Sequence, residues 1–261
     1  MKAVLFDMDG VVYNSETPIP GAAETLAWMR AQGIPHLFVT NTTSRGRAVL
    51  VEKLARFGIQ AEESQILTPC VAAAAWLREQ HAPSVALFVP PKARDEFAGI
   101  ACLPEQAERG ADHVVVGDLG ERWDFRTLNR AFRLLHANPD ATLIALGMTR
   151  FWQAQDGVVL DVAPFVAALA HATGRPVLVF GKPAERFFRA AAELLRVTAD
   201  EILMVGDDVV TDIDGAQKAG LRAALVKTGK FRLNDLEGEV RPDVVLESVA
   251  ELPRYWTAER G

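Results

Sequence analysis

The chain is poor in the residues that would place it in several common classes. It holds two cysteines among 261 residues, Cys70 and Cys102. They form no CxxC pair and cannot build a disulfide framework, so a cross-linked secreted scaffold is excluded and a reducing compartment is expected. No apolar run approaches the roughly 18 residues that a membrane-spanning helix needs. The opening MKAVLFDMDG has one lysine followed by aspartates in place of a signal-peptide core, so a cytoplasmic location is expected. Positive charge is scarce: Lys and Arg number 28 against 34 Asp and Glu, a net charge of -6, with no basic run. The electrostatic footprint of a nucleic-acid or membrane-surface binder is therefore missing, which leaves small anions held by local sites. The histidines, His36, His81, His113, His136 and His171, show no metal-ligand spacing. Neither GxSxG nor GxxxxGK[ST] occurs.

Apolar material is plentiful, at 49% of residues, enough for one large domain or two modest ones. Short hydrophobic runs alternate with amphipathic stretches. Val4-Leu5-Phe6, His36-Leu37-Phe38-Val39, Ile202 to Val205 and Ala223 to Val226 read as buried strands, with helices at 22–30, 47–57 and 184–195. That alternation is the pattern of an α/β protein with a doubly wound parallel sheet. The middle repeats the style, with strands at 86–89, 113–116 and 142–146 and helices at 129–136 and 161–173. The expected organisation is a discontinuous α/β core, residues 1–80 and 179–261, interrupted by an inserted α/β unit at 81–178. The first rhythm is expected to resume at Val177-Leu178-Val179-Phe180.

Four polar clusters each follow an expected strand: Asp7 and Asp9; Thr40, Asn41 and Thr42; Lys182; and Asp207, Asp208 and Asp212. In a parallel sheet the carboxyl ends of all strands lie on one edge, where open α/β sheets bind ligands. Aspartates gathered there cannot all stay ionised without compensation. A hard divalent cation such as Mg²⁺ supplies it, and Lys182 adds a second positive group. With the neutral donors at 40–42, such a site suits a phosphoryl group, whose charge spreads over three oxygens. An aspartate can attack phosphorus, and a second carboxylate two residues on can move the protons. A calcium-loop reading of Leu5 to Glu16 fails, because Leu5 would be its first ligand and a strand precedes it.

The run Asp7-Met8-Asp9-Gly10-Val11, the strand ending in Thr40-Asn41, Gly181-Lys182-Pro183 and Gly206-Asp207-Asp208-Val209-Val210-Thr211-Asp212 together resemble, in order, the four motifs of haloacid dehalogenase superfamily phosphatases. The insertion resembles the C2a cap of the NagD-like subclass IIA. Leu160-Asp161-Val162-Ala163-Pro164-Phe165 and Thr228-Gly229-Lys230-Phe231-Arg232 resemble the phospholysine phosphohistidine inorganic pyrophosphate phosphatase branch. The resemblance implies a Rossmann-like core and a Mg²⁺-dependent phosphoric monoester hydrolase working through an aspartyl-phosphate. Its substrate would be a small phosphorylated metabolite, with pyrophosphate and phosphoramidates as further candidates. The resemblance also implies roles. Asp7 is nucleophile and metal ligand. Asp9 is general acid and base, and lends its backbone carbonyl to the metal. Asp207 is the third ligand, with Asp208 and Asp212 behind it. Thr40, Asn41, Thr42 and Lys182 hold the phosphate, and Lys182 also balances charge at the nucleophile. The segment 147–157, expected as a loop, resembles the substrate-specificity loop of such caps, with Thr149, Arg150, Phe151, Trp152 and Asp156 as its readers; it has no histidine. A homodimer formed through the cap is implied as well. The competing readings are a phosphotransferase or phosphomutase with the same first step, and a capped phosphometabolite-binding regulatory protein; intact Asp7 and Asp9 argue against the latter.

Overall fold

The computed structural model describes residues 1–154 and 157–259. The strands, in chain order, are β1 (Ala3–Asp7), β2 (Tyr13–Asn14), β3 (Thr17–Pro18), β4 (His36–Val39), β5 (Ile66–Leu67), β6 (Val85–Phe88) and β7 (His113–Val116). They continue with β8 (Thr142–Ala145), β9 (Phe151–Ala154), β10 (Gly157–Leu160), β11 (Val177–Val179), β12 (Ile202–Gly206), β13 (Arg222–Val226) and β14 (Val244–Leu246). The helices are α1 (Ala22–Ala31), α2 (Arg47–Arg56), α3 (Pro69–Glu79), α4 (Pro91–Arg94), α5 (Phe125–Ala137), α6 (Val162–Thr173), α7 (Glu185–Leu195), α8 (Gly215–Lys218) and α9 (Leu252–Ala258).

The chain divides into two compact units, residues 1–40, 47–67 and 182–261 in the first, and 41–46 and 68–181 in the second. The first is built on a parallel six-stranded sheet, order β14-β13-β12-β1-β4-β5. Val4, Leu5 and Phe6 of β1 are wholly buried, as are Ile202 to Val205 of β12. Continuous apolar runs of this kind belong to strands covered on both faces. The strands share a core with Leu26, Met29, Leu50, Leu54, Leu252 and Trp256. The second unit has its own parallel sheet, order β11-β8-β7-β6, and its own core around Phe88, Val116, Leu134, Leu143 and Val166. Burying each sheet's apolar faces under its own helices is what lets one chain hold two cores.

Three sequence expectations give way here. The run Val177-Leu178-Val179 does not resume the first sheet: β11 pairs with β8, from Val177 opposite Leu143 to Val179 opposite Ala145. Helix α3 also falls in the second unit. Its Trp76 meets His113 edge-on at 5.6 Å and lies 5.6 Å from Phe180, both residues of that unit. The second unit therefore runs from 68 to 181, extending past both ends of the expected insertion at 81–178, and also takes in residues 41–46. The stretch 147–157, expected as a loop, contains β9, which forms an antiparallel hairpin with β10, Trp152 opposite Val159 and Phe151 opposite Leu160.

Candidate active site

Strands β13, β12, β1 and β4 are parallel neighbours, so the loops leaving them emerge on one edge. Asp7 is the last residue of β1, paired opposite Val39 of β4. Gly206 ends β12; a Cβ there would sit 2.2 Å from the Cβ of Asp212, so the glycine is what lets the next turn fold back over the strand end. Asp212 is held by that turn, its Oδ2 accepting from the backbone N–H groups of Asp207 and Asp208 at 3.2 Å each. Lys182 does not come off a strand of the core sheet, as expected from sequence, but from the segment by which the chain re-enters the first unit. That segment docks on α8: a Cβ on Gly215 would come within 2.7 Å of Pro183.

The result is a buried ionic cluster. Lys182 Nζ donates to Asp7 Oδ1 at 2.6 Å and to Asp212 Oδ1 at 2.7 Å. Burial lowers the pKa of Lys182, but the charges of Asp212 and Asp7 outweigh it, so the ammonium is held charged well above its ordinary range. Oxygens of Asp7, Asp207 and Asp212 all lie within 4.8 Å of one another. Burial, then the charge of Asp7, pushes Asp207 up to about 7. Burial also raises Asp212, to about 6, against the pull of Lys182. One side chain in the cluster keeps contact with solvent: Asp7 is 11% exposed, against 4% for Lys182 and 1% for Asp212.

The donor set fits a hard divalent cation. Oδ1 of Asp207 is buried and has no hydrogen-bond partner among the described residues. Its Oδ2 accepts from the N–H of Lys230 at 2.7 Å. A buried carboxylate oxygen without a partner costs free energy unless something positive meets it. All-oxygen ligands with excess negative charge are the setting that Mg²⁺ prefers. Asp212 is a poorer ligand, because both of its oxygens are already engaged, one by Lys182 and one by backbone N–H groups.

The other expected residues fall as follows. The carboxylate of Asp9 is exposed and accepts from Ser15 N at 3.3 Å, outside the trio of clustered carboxylates. Asp208 accepts from Val210 N and Thr211 N and receives Lys230 Nζ at 3.3 Å, so it caps the turn that carries Asp212. Thr40 follows β4, its N–H donating to Leu67 at 3.2 Å. Asn41 and Thr42 belong to the second unit. There Asn41 Oδ1 lies 3.0 Å from where a Cβ on Gly181 would be. Thr149, Arg150, Phe151 and Trp152 are exposed in the second unit, with the Arg150 guanidinium 5.9 Å from the Phe151 ring centroid. Asp156 lies outside the described residues.

Sequence reasoning did not assign Gly229 and Lys230 to the site. They follow β13, on the same sheet edge, and close around Asp207: a Cβ on Gly229 would meet Asp207 Oδ2 at 2.1 Å, and one on Gly10 would meet it at 2.0 Å. Both glycines have positive φ, +63° and +91°. Thr228 Oγ1 donates to the carbonyl of Gly10, tying the two loops together. The signal was available, since Thr228-Gly229-Lys230 is another glycine-bearing polar run directly after a strand.

A family model described as haloacid dehalogenase-like hydrolase matches residues 4–101, and one described as HAD-hydrolase-like matches 179–252. The chain is 35% identical to human phospholysine phosphohistidine inorganic pyrophosphate phosphatase, over 96% of this chain and 92% of that one. It is 38% identical to mouse haloacid dehalogenase-like hydrolase domain-containing protein 2, over 91% and 88%. Among solved structures, the p-nitrophenyl phosphatase of Archaeoglobus fulgidus superposes with a TM-score of 0.88 at 28% identity, over 97% of this chain and 98% of that one. NagD of E. coli K-12 superposes with a TM-score of 0.85 at 26% identity, over 96% and 98%. The chain belongs to the haloacid dehalogenase-like hydrolases. Within them it is an enzyme of the phosphatase type, with NagD-like, subclass IIA architecture.

Proposed function

We propose that the protein is a Mg²⁺-dependent phosphatase that hydrolyses a small phosphorylated metabolite through an aspartyl-phosphate on Asp7. The observation that carries this reading is the pairing of Asp7 with Lys182 at 2.6 Å while Asp7 remains the most exposed member of the cluster. A nucleophilic carboxylate must be reachable and held on a rigid element, and a strand end meets both needs. Asp7 attacks phosphorus as the bond from phosphorus to the leaving oxygen breaks, and Asp9 gives that oxygen a proton. A water then attacks the phosphoryl group, Asp9 takes the water's proton, and the carboxylate of Asp7 is released with inorganic phosphate. Lys182 balances charge at Asp7, and Asp212 holds Lys182 in place. Asp7, Asp207 and the backbone carbonyl of Asp9 would hold the Mg²⁺. Bound there, the ion would offset the negative charge of the phosphoryl oxygens. Thr40, Asn41 and Thr42 are assigned to phosphate oxygens on motif order alone. Thr149, Arg150, Phe151 and Trp152 are assigned to the leaving group on the same ground, and the mix of arginine and aromatics suits a small polar or anionic one.

The names of relatives support phosphomonoesters first, with pyrophosphate and phosphoramidates as further substrates to test. A cytoplasmic, homodimeric enzyme is part of the same proposal; light scattering of the purified chain reports the dimer directly. No helix among the described residues is long and apolar enough to cross a membrane. Aryl-phosphate hydrolysis should require Mg²⁺ and vanish in Asp7→Asn. In ¹⁸O-labelled water a hydrolase places one solvent oxygen in each phosphate released, whereas transfer to an added acceptor alcohol would identify a phosphotransferase. Activity that survives Asp7→Asn sinks the assigned nucleophile.

A further inference from the structure

The second unit contains a cavity of about 360 Å³, and none of its lining residues belongs to the site described above. Four arginines line it: Arg94 of α4, Arg122, and Arg126 and Arg130 of α5. Two glutamates also reach it, but they do not balance this charge. Glu108 is held by Arg133, which is not part of the lining, at 2.7 and 2.8 Å. Glu105 is left to serve Arg94 at 2.5 Å and Arg122 at 4.0 Å. A local excess of guanidinium charge is thus maintained in a chain whose net charge is -6.

The rest of the wall is organised. Leu87, Phe88 and Leu119 give an apolar floor. The Arg130 guanidinium lies over the Phe88 ring, 4.6 Å from its centroid, and its Nε donates to the carbonyl of Ala107 at 2.9 Å. Nε of Arg94 is buried and has no hydrogen-bond partner among the described residues. Like charges confined in this way repel one another unless an anion meets them. Guanidinium groups match carboxylate and phosphate geometry with paired donors. The volume falls in the range of small-ligand sites, and the apolar floor would meet a carbon frame.

We propose that this cavity is a binding site for a small organic polyanion, a molecule carrying two or three carboxylate or phosphate groups, formed by the second unit alone. The probe is benzene-1,3,5-tricarboxylate, titrated calorimetrically into the full-length, metal-free protein at about 50 mM salt, where screening is modest. Without metal the cluster of Asp7, Asp207 and Asp212 does not attract a polyanion, so Asp7→Asn should bind the probe as the wild type does. The expected result is saturable one-site binding, weakened about tenfold or more in the double variant Arg122→Ala/Arg126→Ala, because two charged donors are lost. Arg122 and Arg126 are exposed, so their removal opens no core; an unchanged melting temperature checks this. Should the double variant fail to fold, Arg126→Gln alone must still weaken binding. Arg189→Ala, which removes an exposed arginine of α7 paired with Glu185, is the control for loss of surface charge, matched to Arg126→Gln, and should leave affinity unchanged. No saturable binding by the wild type, equal affinity in the arginine variants, or equal weakening by Arg189→Ala would each overturn the proposal.

Discussion

Oδ1 of Asp207 is the residue-scale detail on which the metal reading rests. Its carboxyl group is pushed up to about 7, by burial first and by Asp7 second. In the metal-free protein the group therefore keeps its proton below neutrality, and a bound cation must displace it. Mg²⁺ affinity should fall as pH drops below 7, approaching about tenfold per pH unit for one displaced proton. Calorimetry in two buffers of different ionisation enthalpy reads that proton release; a pH-independent affinity would argue against Asp207 as a ligand. The glycines around it give a second test. Gly229→Ala places a methyl group 2.1 Å from Asp207 Oδ2 and 2.5 Å from the Cα of Gly10, at a φ of +63° that disfavours alanine. The variant should lose about 1–3 kcal/mol of stability from strain and crowding, seen by chemical denaturation, and bind Mg²⁺ more weakly. At this scale the sequence marked Asp7, Asp207 and Asp212, which the structure brings within 4.8 Å of one another, whereas the carboxylate of Asp9 lies outside that cluster. The sequence was not legible at Gly229, where the need for a glycine arises only from the approach of a residue far away in the chain.

At the scale of elements, the β2–β3 hairpin connects Asp9 to the core. Ser15, at its tip, donates its N–H to Asp9 Oδ1. The hairpin is fastened to α2 by Lys53, whose side chain is only 5% exposed, reaching Glu16 at 3.2 Å and lying 4.0 Å from the Tyr13 ring centroid. We expect Lys53 to act as a positioning residue for Asp9. Lys53→Met keeps an unbranched, buried stem one atom shorter and removes the charge. It should lower kcat several-fold for alkyl phosphates, whose leaving oxygen needs a proton, and much less for p-nitrophenyl phosphate, whose leaving group does not. An equal loss on both substrates would mean a merely structural role. Element type was well marked in the sequence, since strands such as Val4-Leu5-Phe6 and helices such as 185–195 carry their own periodicity. Partnership was not: Val177-Leu178-Val179 fits any buried parallel strand, and nothing in those three residues says that the neighbour is Thr142–Ala145 and not Ala3–Asp7.

At the scale of the whole molecule there are two hydrophobic cores, and stability at neutral pH draws on buried groups in the first. His36 of β4 is buried between Ile34, which receives its Nδ1 contact at 3.0 Å, and Gln65. Burial lowers its pKa below 6.5, against the hydrogen bond to Ile34 and with help from Arg30. The unfolded chain therefore binds a proton more readily, and this residue's contribution is full above pH 6.5 and lost as pH falls below the folded value. Asp207 and Asp212 pull the other way in the metal-free protein, so the comparison must be between variants. Thermal unfolding of His36→Gln and wild type should differ in slope between pH 7.5 and 5.5, the variant losing less on acidification.

The sheet order sets a timetable. Ala3 has Ile202 beside it on one side and, one residue on, Val4 has His36 on the other. During synthesis the first strand can pair early with β4, but its remaining edge must wait until most of the chain has been made. The second unit, made entirely from residues up to 181, can complete its own sheet in that interval. Lys182 and Asp207 arrive only afterwards. Pairings this distant along the chain are slow to close and leave an apolar strand edge uncovered meanwhile. The cluster of Asp7, Lys182, Asp207 and Asp212 is thus assembled last, and a ribosome-bound or truncated chain ending before β12 would carry a finished second unit, half a core sheet and an incomplete cluster.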